Sequence, residues 1–148
     1  LFAVKAGAFR LITCASPAYL ERRGTPQHPD ELAGHDGISF GPTPMFWTFP
    51  VDGEERVITP RTRVAVNTAA SNAAAAVAGG GIARLFDYQL GDEIRSGALV
   101  PILTDYRGDA RPIHIVYPRQ GLLPLKVRSF IDWTAPRLRT ICDGFAPD

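Results

Sequence analysis

Cysteine is scarce in this sequence, and its scarcity excludes a disulfide-stabilised scaffold. The chain has 148 residues and two cysteines. Cys14 and Cys142 are too few for a disulfide framework and too far apart for a CxxC metal or redox pair. We interpret both as reduced thiols of a cytoplasmic protein. A bridge between them stays open at this point, since cysteine pairing cannot be deduced from sequence.

Long apolar runs and an excess of charge are also missing. No apolar stretch approaches the ~18 residues that a membrane-spanning helix needs, so we expect no membrane partner. The formal net charge is +1, which gives no electrostatic reason to expect strong nucleic-acid binding by this segment. Hydrophobic residues make up 45% and charged residues 21%, proportions that are typical of a soluble globular domain.

Catalytic and metal-binding signatures do not occur either. The three histidines, His28, His35 and His114, are scattered, and there is no HExxH motif, paired metal-ligand spacing or GxSxG elbow. Cys14 could pair with a histidine as a nucleophile, but the apolar run around it favours a buried strand thiol. The sequence therefore predicts no catalytic residue, no metal site and no cofactor.

The apolar residues that are present alternate between strand-like and helix-like periods, which predicts an α/β fold. Asp52-Gly53 between two apolar runs predicts a β-hairpin. Pro136 lies inside the last helical pattern, so it should kink that helix or end its regular part near Ala135. The predicted strands are 9–15, 37–40, 46–50, 56–59, 63–66, 82–86, 99–103 and 112–116; the predicted helices are 17–23, 30–34, 69–78, 88–95 and one beginning near 124.

One helix start has the chemistry of an anion site. Asn67 and Thr68 directly precede the alanine-rich helix 69–78, and both are residue types that cap helices. A helix N-terminus presents unpaired backbone N–H groups and a positive dipole end, which stabilise a carboxylate without a charged side chain. The alternative is that Asn67 and Thr68 only cap the helix.

Six short segments lie between residues 9 and 135: Cys14–Leu20 with Gly24, His28–Leu32 and His35; Trp47–Phe49; Val66–Asn67; Ala78–Ala83; Ser96–Val100; and Leu123–Asp132. Their order and spacings resemble the effector-binding domain of LysR-type transcriptional regulators. Two positions depart from that pattern: Phe86 stands where the family usually has proline, and Pro136 is unusual in the last helix.

This resemblance implies a periplasmic-binding-protein-like (type 2) fold of two α/β lobes. On that mapping, residues 13–103 form a complete second lobe, while 1–12 and 104–148 form part of the first. The opening strands, a linker helix and a winged helix-turn-helix would lie upstream of Leu1, so DNA would be bound only through that missing N-terminal domain. The resemblance also implies assembly as homodimers or tetramers.

The implied ligand is a small metabolite, expected to be anionic, that binds between the lobes. The resemblance places Thr13 on a strand that crosses between the lobes. It also implies that Phe86, in place of the usual proline, makes the wall of the ligand site bulkier. Ser16 could line the cleft or only cap helix 17–23, and the glycine turn could approach a ligand or only end helix 69–78. The candidate ligand-binding residues are Thr13, Ser16, Phe40, Asn67, Thr68, Gly81, Ile82 and Phe86.

Two other functions compete with the sensor interpretation. The same fold serves exported solute-binding proteins, which a signal peptide upstream would indicate, and it also serves a few enzymes. Within the sensor interpretation, the partial first lobe should expose apolar surface along Ile113, Ile115 and the helix face of Phe130.

Overall fold

A computed structural model describes residues 1–41, 45–118 and 123–144. The sequence also predicts a loop from Phe40 to Thr43 that could border the ligand cleft, and its residues Pro42 and Thr43 lie outside the described ranges. In chain order the described elements are β1 (Phe2–Phe9), β2 (Leu11–Ala15), α1 (Pro17–Arg23), a 3₁₀-helix (Pro29–Gly34), β3 (Asp36–Phe40), β4 (Trp47–Val51), β5 (Glu54–Ile58), β6 (Arg61–Val66), α2 (Ala69–Val77), β7 (Ala83–Phe86), a 3₁₀-helix (Asp87–Gln89), α3 (Gly91–Arg95), β8 (Val100–Ile102), a 3₁₀-helix (Thr104–Tyr106), β9 (Arg111–Tyr117) and α4 (Leu125–Asp143).

The chain divides into two compact units. One, here the terminal unit, combines Leu1–Arg10 with Asp109–Asp148. The other, the central unit, runs from Leu11 to Gly108. The strand predicted over 9–15 is interrupted at Arg10, where the first unit gives way to the second. The lobe boundaries expected from the resemblance remain a prediction.

The terminal unit consists of an antiparallel strand pair with a helix packed on it. Strand β1 pairs with β9 from Phe2 opposite Tyr117 to Phe9 opposite Arg111. Helix α4 buries Ile131 and Ala135, while Phe130 remains 58% exposed and Ile113 and Ile115 are half-buried. The expected apolar exposure is therefore present at Phe130 and only partial at the two isoleucines.

Helix α4 continues through Pro136 to Asp143, so the alternative that its regular part ends near Ala135 is wrong, while the kink at Pro136 stays a prediction. A proline inside a helix costs one backbone hydrogen bond, but contacts with β1 hold the following turns in place. Arg139 Nη2 donates to the Lys5 carbonyl at 2.9 Å. The side chain of Cys142 sits directly against Gly7, where a β-carbon would not fit.

The central unit is built on sheets that share one core with α2. Strands β7, β2 and β8 form an antiparallel sheet in that order, and β3 pairs in parallel with β6. A parallel bridge between Gly37 and Ile82 links the two sheets. Alanines of α2 pack with apolar residues of the strands and of the segments that connect them in one cluster: Ile12, Cys14, Ile38, Ala73, Ala76, Ala83, Leu85, Leu90 and Leu99. Their small side chains allow the close approach of helix and sheet.

The predicted hairpin is confirmed as β4 and β5. Asp52 and Gly53 have φ values of 52° and 81°, the two positive values that a type I′ turn requires. Trp47 and Phe49 of β4 are both buried in a second apolar cluster. Helix α1 also has its predicted bounds, with the side chain of Ser16 capping it through the backbone N–H of Tyr19 at 3.3 Å.

The helix predicted over 88–95 is instead a short 3₁₀-helix followed by α3. Leu90 separates them, because its backbone (φ −123°, ψ 8°) is not helical and its side chain is fully buried. At the other side of the sheet, β8 is an edge strand with Pro101 at its centre. Proline has no N–H to offer a further strand, so this edge is poorly suited to extension. No helix in the described ranges is both long and apolar enough to cross a membrane.

Candidate functional site

Among the described side chains, Thr68 is the one that caps the N-terminus of α2. Thr68 has extended backbone (φ −134°, ψ 152°), and its Oγ1 accepts the N–H of Ser71 at 3.0 Å. The backbone N–H groups of Ala69 and Ala70 lie in the first turn, where helix geometry supplies no acceptor. Within this described helix the first turn carries no acidic side chain. The end of α2 therefore keeps its positive partial charge available to an anion.

Four of the predicted residues lie at the edge of the sheet that is formed by the carboxyl ends of β3, β6 and β7. Phe40 and Val66 are opposite each other at the carboxyl ends of parallel strands, and the Gly41 N–H donates to the Val66 carbonyl at 2.8 Å. The next residues along the chain from Val66 are Asn67 and Thr68. Strand β7 runs in the same direction as β3, because Ile82 bridges Gly37 in parallel, so Phe86 ends at this edge too. Phe40, Asn67 and Thr68 are exposed and Phe86 is half-buried.

Ser16, Gly81 and Ile82 lie at the opposite edge. Gly81 touches the carbonyl of Asp36, the first residue of β3, and four residue steps along a strand separate the two edges by about 13 Å. The nine residues of α2 span a similar distance of about 13 Å. All three residues are buried. The central unit therefore does not bring them together with Asn67 and Thr68.

Thr13 occupies the middle of β2, between Arg84 of β7 and Ile102 of β8. Its side chain is 5% exposed. Within the central unit it is therefore part of the packed sheet rather than of the exposed edge.

Two residues that the sequence analysis missed belong to the same edge. Thr68 Oγ1 donates to Ser71 Oγ at 2.8 Å. The Ser71 hydroxyl can therefore donate its own proton to another acceptor. The ring of Tyr88 stacks on that of Phe86, with centroids 5.7 Å apart and planes 14° from parallel. The spacing Thr68-x-x-Ser71 could have indicated the first contact, since residues at N-cap and N3 face each other.

A hydrogen-bonded network ties α1 to β3 at the opposite edge. The hydroxyl of Tyr19 is fully buried, accepts the backbone N–H of Asp36 at 3.0 Å and lies 3.0 Å from His35 Nδ1. The hydroxyl accepts from Asp36, and when His35 Nδ1 is unprotonated that nitrogen is an acceptor for the hydroxyl's own proton. Arg61 donates to Asp36 Oδ1 through Nε at 2.7 Å and also through Nη2.

Burial and neighbouring charges shift the pKa values of His35 and Asp36. Burial, followed by the nearby Arg23 guanidinium, lowers the pKa of His35 below its ordinary 6.5. Burial alone would raise the pKa of Asp36, but the hydrogen bond and charge of Arg61 outweigh it and hold that pKa below 3.8. The folded network is thus built for neutral His35 and ionised Asp36.

We expect the stability of the chain to fall as the pH drops from 7.5 to 5.5. The lowered pKa means that unfolded His35 takes up a proton more readily than folded His35, so the stabilisation is complete above pH 6.5 and is lost as the pH falls toward the folded pKa. Urea denaturation at each pH measures this. In the variant His35→Asn, whose Oδ1 is attached to Cγ like Nδ1 and can accept from Tyr19, the decline should flatten; an unchanged decline would assign it to other groups. Loss linked to Asp36 begins only below pH 3.8.

The buried thiol of Cys14 does not have the properties of a nucleophile. Burial, with a smaller contribution from Glu93, raises the pKa of Cys14 to about 12, so it is protonated at neutral pH, whereas the reactive form is the thiolate. Cys14 and Cys142 are both free thiols, as the sequence indicated. Among the described residues, no three His, Cys, Asp or Glu side chains are grouped so as to hold a metal ion.

Comparison with known proteins identifies the family. The profile of the LysR substrate binding domain matches residues 1–139. The chain belongs to the LysR substrate-binding domain family. This confirms the resemblance seen in the sequence, and with it the periplasmic-binding-protein-like type 2 fold.

Two curated relatives and one solved structure show the extent of the similarity. This LysR substrate-binding domain is 29% identical over 143 residues to the HTH-type transcriptional regulator YhjC of Escherichia coli K12, covering 93% of the chain and 47% of the relative. It is 34% identical over 137 residues to the HTH-type transcriptional regulator CrgA of Neisseria meningitidis serogroup C, covering 88% and 44%. The full-length Vibrio cholerae virulence activator AphB superposes with a TM-score of 0.80 at 31% identity, covering 93% and 48%.

The domain spans somewhat less than half the length of these regulators. The comparisons agree with the interpretation as the effector-binding domain of a LysR-type regulator and give no support to the alternative of an exported solute-binding protein.

Proposed function

We propose that this LysR substrate-binding domain binds a small anionic metabolite, most simply a carboxylate, at the N-terminus of α2. The proposal rests on one observation, the Thr68-capped helix end without an acidic residue in its first turn. The N–H groups of Ala69 and Ala70 and the hydroxyl of Ser71 are donors of the kind that hold a carboxylate at a helix end. Phe40 and Phe86 lie at the same edge of the sheet and would contact the apolar part of the ligand.

Within the whole regulator, ligand binding would control transcription. A ligand that binds one arrangement of the regulator more tightly shifts the population toward it, and a DNA-binding domain in the remainder of the protein would transmit that shift. We propose that the regulator is cytoplasmic, contacts DNA only through that domain, forms homodimers or tetramers, and catalyses no reaction. The wider set predicted from sequence, Thr13, Ser16, Gly81 and Ile82, remains a prediction to be tested alongside the exposed edge.

The variant Ala69→Pro should weaken carboxylate binding about tenfold while leaving α2 folded. Proline at the first helical position removes one N–H donor without breaking the helix, and the extended backbone of Thr68 suits a residue before proline. A hydrogen bond to a charged ligand contributes about 1.5 kcal/mol, which corresponds to that factor. Small carboxylates that raise the melting temperature of the complete regulatory domain would be selected first, and their affinities measured by calorimetry.

The matched control is Ala69→Ser, which changes the same position but keeps the N–H group, and it should bind with nearly wild-type affinity. Equal affinities for both variants would show that the anion does not sit at this helix end. If no small carboxylate stabilises the domain, the proposal of an anionic effector fails. A gene without a helix-turn-helix segment upstream would contradict the regulatory role.

A further inference from the structure

A cavity lies wholly within the central unit, away from the N-terminus of α2. It has a volume of about 260 Å³ and is bordered by α1, the loop that follows α1, strand β8 and the 3₁₀-helix Thr104–Tyr106. This volume lies just below the usual range of small-molecule sites, which begins at about 300 Å³. The cavity is therefore suited to a ligand of roughly one ring with a short substituent.

One wall of this cavity is apolar and continuous with the protein core. Ile102 and Leu103 are 5% and 8% exposed and belong to the buried cluster that also contains Trp47 and Phe49. Leu20 packs against the same cluster, and Pro26 is fully buried. These side chains line the cavity and offer a fixed surface against which a hydrocarbon ring can be buried.

The segment Leu103–Tyr106, which also lines the cavity, begins with an unusual backbone conformation. Leu103 has φ 54° and ψ 38°, a left-handed conformation that is uncommon for a bulky residue and recurs at ligand clamps. It reverses the chain so that the Tyr106 N–H donates to the Leu103 carbonyl at 3.0 Å. The ring of Tyr106 is held edge-on by His28, with centroids 5.2 Å apart. Thr104–Tyr106 is thereby fixed beside the apolar wall.

The charge of the cavity is the reverse of that at α2. Among the described residues that line it, Asp105 carries the one charged side chain, and the other polar side chains are those of Thr25, Gln27, Thr104 and Tyr106. The Gln27 side chain is held by its Nε2 donating to the Thr25 carbonyl at 3.1 Å. Acceptors and a carboxylate beside an apolar wall favour a cation over an anion.

We propose that this cavity is a second ligand site, which binds a small organic ammonium ion with one ring. The ammonium group pairs with Asp105, and the ring packs on Leu20 and Pro26 and near the ring of Tyr106, which adds attraction for a cation. The 3₁₀-helix that forms the wall ends two residues before Gly108, the last residue of the central unit. A bound ligand would restrain the segment by which the chain leaves this unit.

Benzylamine is a suitable probe, because it combines one ring with one ammonium group. Titrated into the ¹⁵N-labelled 148-residue chain, it should shift the amide resonances of Leu103–Tyr106 and of the loop after α1. Benzyl alcohol and benzoate have the same ring but no positive charge, so benzyl alcohol should bind more weakly and benzoate should leave these resonances unmoved. The shifts place the ligand without any assay of regulation.

The variant Asp105→Asn should weaken benzylamine binding about three- to fivefold, the range for a solvent-accessible ion pair. Asp105 is exposed, so the substitution should not disturb folding. The control Asp92→Asn removes an exposed carboxylate on α3, outside the cavity, and should leave the affinity unchanged. Equal weakening by both variants would reduce the effect to general electrostatics. Shifts confined to other parts of the chain, or none at all, would overturn the proposal.

Discussion

The variant Gly81→Ala is expected to lower the free energy of unfolding by about 3–5 kcal/mol, the range in which backbone strain and overpacking act together. A β-carbon at Gly81 would lie 2.7 Å from the carbonyl oxygen of Asp36, and φ is +154°. The Asp36 carbonyl and Gly81 cannot easily move apart, because the N–H of the next residue, Ile82, donates to that same carbonyl at 2.9 Å. Urea denaturation followed by far-ultraviolet circular dichroism would measure the loss.

Gly24→Ala is the matched control, since Gly24 also has a positive φ of +82° but no atom within 4 Å of the added carbon. It should cost about 1–3 kcal/mol, the conformational penalty alone, because φ 82° with ψ 160° is a backbone region essentially reserved for glycine. The difference between the losses in free energy of unfolding of the two variants gives the cost of the steric overlap at Gly81. Equal losses would mean that the link between Gly81 and β3 adapts to a side chain.

The variant Tyr19→Phe is expected to cost about 2–3 kcal/mol at pH 7.5, although it removes a single oxygen. That hydroxyl accepts the backbone N–H of Asp36 and is hydrogen-bonded to His35 Nδ1, both at a distance of 3.0 Å. Without it, a buried N–H group is left without its acceptor, and such an orphaned group costs about 1–3 kcal/mol. The lost bond to His35 should add to this and should also weaken the pH dependence between 7.5 and 5.5.

Tyr117→Phe provides the control for this second variant. Tyr117 is partly exposed and its ring stacks on Phe2, a contact that phenylalanine preserves. We expect a change within about 0.5 kcal/mol, as for most surface substitutions. A Tyr19→Phe variant as stable as the wild type would show that the network contributes little to the folded state.

Local features of the fold could be predicted wherever one short stretch of sequence determines the conformation. The bounds of α1 follow from Ser16-Pro17 at its start and Gly24 at its end. The hairpin follows from Asp52-Gly53, because few residue pairs accept two positive φ values. At Leu90 the same reasoning failed, since a leucine gives no local sign of the helix break that its burial imposes.

The candidate site could be predicted only in part, because it depends on strand direction. Asn67 and Thr68 were recognisable as a helix start, but the sequence does not show at which edge of the sheet a motif lies. The parallel bridge between Gly37 and Ile82 places Gly81 and Ile82 at the far edge. The cavity beside Leu103 could not be predicted either, since nothing in the sequence around Leu103 indicates a left-handed backbone conformation.

The pairing of β1 with β9 also has a consequence for the order in which the protein folds during its synthesis. Phe2 lies opposite Tyr117, so β1 emerges from the ribosome long before its partner strand. Translation at about 5–20 residues per second delays the synthesis of that partner by roughly 6–23 seconds. The central unit has its described strands within Leu11–Gly108 and can fold during that interval. A chaperone that recognises extended apolar segments would therefore find a target in Phe2–Phe9.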